Sequence, residues 1–336
     1  MGKIIISLFV TLLSFGVSAN EDKYSALTIK SVYSNDRNKF IDIYYWYPSS
    51  KRDTDFIFGN SKIFAAVATN FNAEIAPGKF PVVLLSHGGM RSSFTHSGWI
   101  ASALAKAGYI VIVPKPPGVD EITPDLAVNE ISLRAADLML GLSNLENVNV
   151  LDRGSDKDNV LGVGFFLGGT SILTLSGIKL SPAKYKKSCD DDETNMDCGW
   201  LLSNNVYLTE VSDKKISDLK TDDRIKSIVV INPELTKTFS DATLEMVGIP
   251  VTVIDLSAEN NPALKPSETI LKIPKVQLRE INSATAFSAF SMCTEQGERI
   301  LSSDGGSEIC EENAEGLRQE NHKLIINEIL SAFASQ

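Results

Sequence analysis

From residue 27 to residue 47 polar and apolar side chains alternate, with Ile, Val and Tyr prominent, as in Ile41-Asp42-Ile43-Tyr44-Tyr45-Trp46-Tyr47. A period of two predicts antiparallel strands. Residues 48–79 lose the alternation and read as a long irregular connection. From Phe80 the pattern changes to short, wholly apolar runs separated by amphipathic stretches. Pro81–Ser86, Tyr109–Pro114 and Asn159–Phe165 predict buried strands, and Trp99–Ala107 and residues 127–145 predict the helices between them. Strands without polar alternation are covered on both faces. The succession therefore predicts an α/β fold with a mostly parallel central sheet and helices on both sides. The rhythm breaks from Ser181 to Asp223, which reads as a cap inserted over the sheet. It resumes in Ile228–Pro233, Pro250–Asp255 and Lys275–Ile281, and a last amphipathic helix, Gly316–Phe333, follows. No internal repeat or low-complexity tract divides the chain, so residues 20–336 read as one domain with a cap at about 181–223.

The first residues follow a different rule. Met1-Gly2-Lys3 precedes an uncharged, largely apolar run from Ile4 to Phe15, and Val17-Ser18-Ala19 places small residues where a signal peptidase cuts. This pattern predicts a signal peptide over residues 1–19. The run is shorter than the roughly 20 residues a membrane-spanning helix needs. No other run of that length follows, so the mature chain is expected to be periplasmic or secreted, with no membrane span. A formal charge of -10 and a pI near 5.0, with no basic stripe, argue against nucleic acid as a partner, whose binding rests on clustered Lys and Arg.

In an oxidising compartment the four cysteines read as two sequence-local disulfides, Cys189 with Cys198 and Cys293 with Cys310, although four cysteines allow three connectivities. Zinc is the weaker reading, because no pair has C-x-x-C spacing and no histidine lies near either pair. The acidic run Asp190-Asp191-Asp192-Glu193 lacks the spacing of a calcium loop and reads as a solvated loop. No motif calls for a cofactor or a metal.

The densest chemical signal is Leu161-Gly162-Val163-Gly164-Phe165-Phe166-Leu167-Gly168-Gly169-Thr170, a buried strand running into a small-residue helix. That is the setting of the G-x-S-x-G elbow, where a serine nucleophile sits on a strained strand-to-helix turn between glycines. Gly164 and Gly168 hold the flanking positions here. The nucleophile position is Phe166, whose ring has no lone pair to attack a carbonyl carbon.

With these residues the chain resembles the secreted bacterial proteins classed as predicted dienelactone hydrolases, relatives of platelet-activating-factor acetylhydrolases in the α/β-hydrolase superfamily. The matching segments are Phe80–Gly89, ending in Ser86-His87-Gly88-Gly89; Gly108–Gly118; Asp223–Ser227 leading into Ile231-Asn232-Pro233; and the Cys293, Cys310 and His322 region. The resemblance implies an α/β-hydrolase fold and an oxyanion loop at His87, Gly88 and Gly89, completed by the Leu167 amide. It also implies a triad acid at Glu259, in Leu256-Ser257-Ala258-Glu259-Asn260-Asn261-Pro262, and a triad histidine where this chain has Ala286, to within one residue.

Two members of a serine triad are thus missing, and removal of even one costs on the order of 10⁴ to 10⁶ in rate. The expected function is that of a pseudoenzyme that binds a small apolar or ester-like ligand, or a protein partner. The alternative keeps a carboxylester hydrolase with relocated catalytic residues, Ser171 or Thr170 among them, although hydroxyls on a helix usually bond to the carbonyl one turn back. His87 is expected to order the oxyanion loop, and His96 and His322 are expected to be structural or solvated. A phenylalanine at the elbow should be strained, or the turn should relax around it.

Overall fold

The computed structural model describes residues 23–90, 92–118, 121–190, 197–217, 221–256, 266, 268–314 and 316–335. The signal-peptide residues, most of the acidic run (Asp191, Asp192 and Glu193) and the acid position Glu259 lie outside the described residues.

Ten strands form one sheet in the order β10-β9-β8-β7-β5-β6-β2-β1-β4-β3. They are β1 (Tyr24–Ser34), β2 (Lys39–Ser49), β3 (Phe56–Phe58), β4 (Val67–Phe71), β5 (Phe80–Ser86), β6 (Ile110–Pro114), β7 (Ser155–Phe165), β8 (Ile225–Ile231), β9 (Val251–Asp255) and β10 (Val276–Glu280). From β10 to β6 every neighbouring pair is parallel, whereas β2 runs antiparallel to both β6 and β1. The alternating stretch thus forms the antiparallel hairpin that its period implied, and the apolar runs form the parallel centre. Residues 48–79 depart from the expected irregular connection. They carry the two short strands β3 and β4, and β4 lies parallel to β1 at the sheet edge.

Helices α1 (Ser97–Lys106), α2 (Glu130–Asn144), α3 (Leu167–Leu175) and α4 (Leu317–Ala334) cover the sheet. Successive β5 side chains point to opposite faces. Val82 and Leu84 join one core with α2 and α3, whereas Val83 and Leu85 join the other with α1 and α4. Both faces are therefore dry, which is why the central strands could be apolar throughout.

Between Ser181 and Asp223 the chain forms short helices, Pro182–Lys186, Cys198–Ser203 and Asp213–Ser217, in place of sheet strands. Both disulfides are present, Cys189–Cys198 and Cys293–Cys310. Among the described residues no helix is long and apolar enough to cross a membrane, and no group of His, Cys, Asp and Glu could hold a metal ion.

Candidate functional site

Strand β7 ends at Phe165, Phe166 makes the turn, and α3 begins at Leu167. The turn is as sharp as a nucleophile elbow demands. Phe166 has φ 52° and ψ -126°, a region that costs a non-glycine residue about 1–3 kcal/mol, so the strained outcome is the one realised. Its own backbone bonds fix it there. Phe166 N–H donates to the Ile231 carbonyl at 3.1 Å, and its carbonyl accepts from Thr170 N–H at 3.2 Å and Glu234 N–H at 3.3 Å. The phenyl ring is buried and joins an apolar cluster with Phe165, Leu256, Ala284 and Ala289, against which Ala286 also packs.

The glycines are forced by close approach. A Cβ at Gly164 would stand 2.5 Å from Gly169 Cα, and one at Gly168 would stand 2.6 Å from the Ser86 carbonyl carbon. Both obstacles are backbone. Gly168→Ala should therefore lower stability by about 1–3 kcal/mol, the usual range for overpacking, read as a lower midpoint in urea at unchanged slope.

The end of β5 and the following turn, Ser86–Gly89, lie against this elbow, with Gly168 N–H donating to the Gly88 carbonyl at 3.2 Å. On its other side the turn is gripped by Arg134 of α2. The guanidinium donates to the carbonyls of Gly88 at 2.8 Å, Gly89 at 3.0 Å and His87 at 3.4 Å. Arg134 is buried beside Glu130, Asp137 and Arg37. Arg37 reaches Glu130 at 2.7 Å and Asp137 at 2.6 Å, so two guanidiniums balance two carboxylates.

Burial alone would raise both carboxyls. Glu130, bonded to both arginines, is nevertheless held below the usual carboxylate range, whereas burial pushes Asp137 up to about 6. Removing one member strands a buried charge. Arg134→Met is therefore expected to cost about 3–5 kcal/mol and to free the three loop carbonyls, measured by denaturant unfolding.

Hydroxyls beyond the elbow are already engaged. Ser171 Oγ donates one turn back to Leu167 O at 3.1 Å, and Thr170 Oγ donates to Glu234 O at 2.5 Å. Both residues are fully buried.

No protein-family model matches the sequence, and no curated protein matches it. Solved structures do. A ferulic acid esterase from Streptomyces cinnamoneus superposes with a TM-score of 0.56 at 14% identity, covering 95% of this chain and 91% of that one. The chain has the α/β-hydrolase fold. A dienelactone hydrolase from Anabaena variabilis also superposes, with a TM-score of 0.43 at 14% identity over 83% of this chain and 95% of that one.

Within this hydrolase fold, all three histidines of the chain converge on the segment that carries Ala286. His87 Nε2 and Trp99 Nε1 both donate to the Ala289 carbonyl, at 2.9 and 3.0 Å. His322 Nε2 donates to the Phe290 carbonyl at 2.9 Å, and His96 Nδ1 accepts from Ser291 N–H at 3.1 Å. His87 thus bonds to a distant backbone carbonyl from its place in the loop. Of the two expectations for His322, structural or solvated, the structural one is realised: its ring stacks on Trp99 at 3.7 Å with planes 2° apart. His96 in turn stacks on Phe290 at 4.4 Å.

Burial is the leading reason that the rings stay neutral: it pushes His87 and His322 down to about 4 and His96 well below its ordinary value. From behind, the Glu312 carboxylate accepts from Thr285 N–H at 2.9 Å and from the Thr285 and Ser288 hydroxyls. Arg318 donates to the carbonyls of Ser291 and Ile309. Among these residues only the histidines stood out in the sequence. Arg37, Glu130, Arg134, Trp99, Glu312 and Arg318 did not, because nothing in their local pattern sets them apart from ordinary helix and strand positions.

Proposed function

We propose that this chain is an exported pseudoenzyme, a serine-esterase scaffold that binds a small apolar or ester-like ligand, or a protein partner, without turning over an ester. In this reading residues 1–19 are a signal peptide and residues 20–336 act as one domain, with residues 181–223 as its cap. The carrying observation is Phe166 in the strained elbow conformation, its ring buried where a nucleophilic oxygen would have to stand. The histidines support the same reading, since each already bonds to backbone of residues 289–291. Acyl transfer by the serine route needs a nucleophile and a base that takes its proton.

The test is turnover of short p-nitrophenyl esters, together with labelling by a fluorophosphonate. Expected are hydrolysis no faster than buffer and no covalent adduct. Hydrolysis that disappears in Ser171→Ala, with an adduct at that serine, would reverse the reading in favour of a relocated nucleophile. For binding, methyl ferulate is a reasonable first ligand given the esterase neighbour. A ligand that prefers the folded state raises the melting temperature while remaining intact, by about 2.7 kcal/mol of stability at a hundredfold excess over Kd.

A further inference from the structure

Beneath the Ser86–Gly89 turn lies a cavity of about 10 Å³, measured to the centre of a water molecule, with His87, Ser97, Arg134, Asp137 and Leu138 among its walls. That is the space one water occupies. Two of these wall residues each hold a buried polar atom that makes no hydrogen bond among the described residues: Nδ1 of His87 and Oδ1 of Asp137. Neither is accounted for by the contacts already described, and buried polar atoms are rarely left without a partner.

The chemistry of both atoms follows from their other bonds. His87 Nε2 stands 2.9 Å from the Ala289 carbonyl, which can only accept, so Nε2 carries the hydrogen. In a neutral imidazole the remaining nitrogen, Nδ1, is then a bare acceptor. Asp137 uses Oδ2 to accept from Arg37 Nε at 2.6 Å, and its Oδ1, as part of a carboxylate, is also an acceptor. Two acceptors cannot satisfy each other. The group that suits both must be small and must donate twice.

We propose that this cavity is a binding site for one structural water molecule, which donates one hydrogen to Nδ1 of His87 and the other to Oδ1 of Asp137. An anion is a poor occupant, because it offers no hydrogens. An ammonium ion would add positive charge to a cluster in which Arg37 and Arg134 already balance Glu130 and Asp137. Larger solutes exceed the space. The water adds a second link between the ion cluster and His87, beside the bond that Arg134 donates to the His87 carbonyl, and so ties the cluster more closely to the segment held through Ala289.

The experiment uses the full chain at pH 8, where Asp137 is ionised. A crystal structure that resolves ordered solvent should show density within hydrogen-bonding distance of both atoms. Nitrogen-15 spectra of the histidine rings, with His87 assigned by loss of its signals in His87→Gln, should show the Nε2–H form and an Nδ1 resonance displaced as in a hydrogen-bonded acceptor. Leu138→Phe places a larger ring on the cavity wall. It should erase the density and return the Nδ1 resonance to that of an unbonded nitrogen. An empty cavity with both side chains well ordered would overturn the proposal, and so would the Nδ1–H form, or an Nδ1 resonance unchanged in a folded Leu138→Phe protein. If that variant does not fold, the wild-type density and the ring spectra decide the question between them.

Discussion

Acidification from pH 7 to pH 4 is expected to remove about 3 kcal/mol of folding stability, ahead of general carboxylate titration. The source is the histidine clamp. A histidine whose folded value lies below its unfolded value of 6.5 binds a proton more readily in the unfolded chain. Its contribution is therefore complete above pH 6.5 and falls away as the pH drops toward the folded value. For His87 and His322, pushed down to about 4, that is about 3 kcal/mol each at 1.36 kcal/mol per pH unit. His96 moves in the same direction.

Asp137 opposes them. Its carboxyl is raised to about 6, so between pH 6 and pH 4 the folded state holds the extra proton and gains about 3 kcal/mol. Glu130 is lowered and begins to lose its contribution only below its unfolded value of 4.5. His87 and His322 against Asp137 leave about one proton taken up per molecule on unfolding near pH 5, and His96 adds to that uptake. The measurement is urea unfolding at half-unit pH steps, and His322→Phe should lower that uptake by about one proton. A stability that stays flat from pH 7 to pH 4.5 would rule out buried neutral histidines. A mid-acid loss should also be visible locally, because protonated His87 and His96 can no longer sit buried against residues 289–291.

Why the clamp was illegible in the sequence is a matter of distance along the chain. His87 meets Ala289 across 202 residues and His96 meets Ser291 across 195, and no local pattern encodes such pairings. The ion cluster is hidden in the same way, with Arg37 reaching Glu130 across 93 residues. The elbow was legible for the opposite reason. Gly164, Phe166 and Gly168 are neighbours in sequence, and the collisions that force glycine at two of them come from the end of β5 and the start of α3, both of which announce themselves by composition. The central sheet could be read because burial on both faces leaves wholly apolar runs. Strands β3 and β4, of 3 and 5 residues at the sheet edge, left no such run, and so residues 48–79 passed for a loop. The stack of His322 on Trp99 was hidden in the same way as the clamp, because the two residues lie on helices far apart along the chain.

Phe166→Ser combined with Ala286→His is expected to create ester hydrolysis roughly a hundredfold or more above either single variant, and the singles should be nearly silent. The asymmetry follows from how a triad works: nucleophile and base act as a unit, so supplying one without the other recovers little of the 10⁴ to 10⁶ that the unit is worth. The scaffold side is favourable. The backbone at residue 166 already has the elbow geometry, with φ 52°. Residue 167 opens α3, whose N-terminal amides carry partial positive charge toward a developing oxyanion. Ala286 packs against the same cluster that contains the Phe166 ring, so an imidazole there starts on the correct side of the sheet.

The substitution also has a structural consequence, because deleting a buried phenyl costs about 3–5 kcal/mol. Both disulfides and the clamp through residues 289–291 remain to hold the site, and the melting curve of the double variant must be recorded beside its activity. A folded double variant that neither turns over p-nitrophenyl acetate nor takes a fluorophosphonate at residue 166 would mean that the site has lost more than two side chains. The place to look would then be the Ser86–Gly89 turn, whose carbonyls Arg134 holds, because an oxyanion needs the amides of that turn to face the elbow.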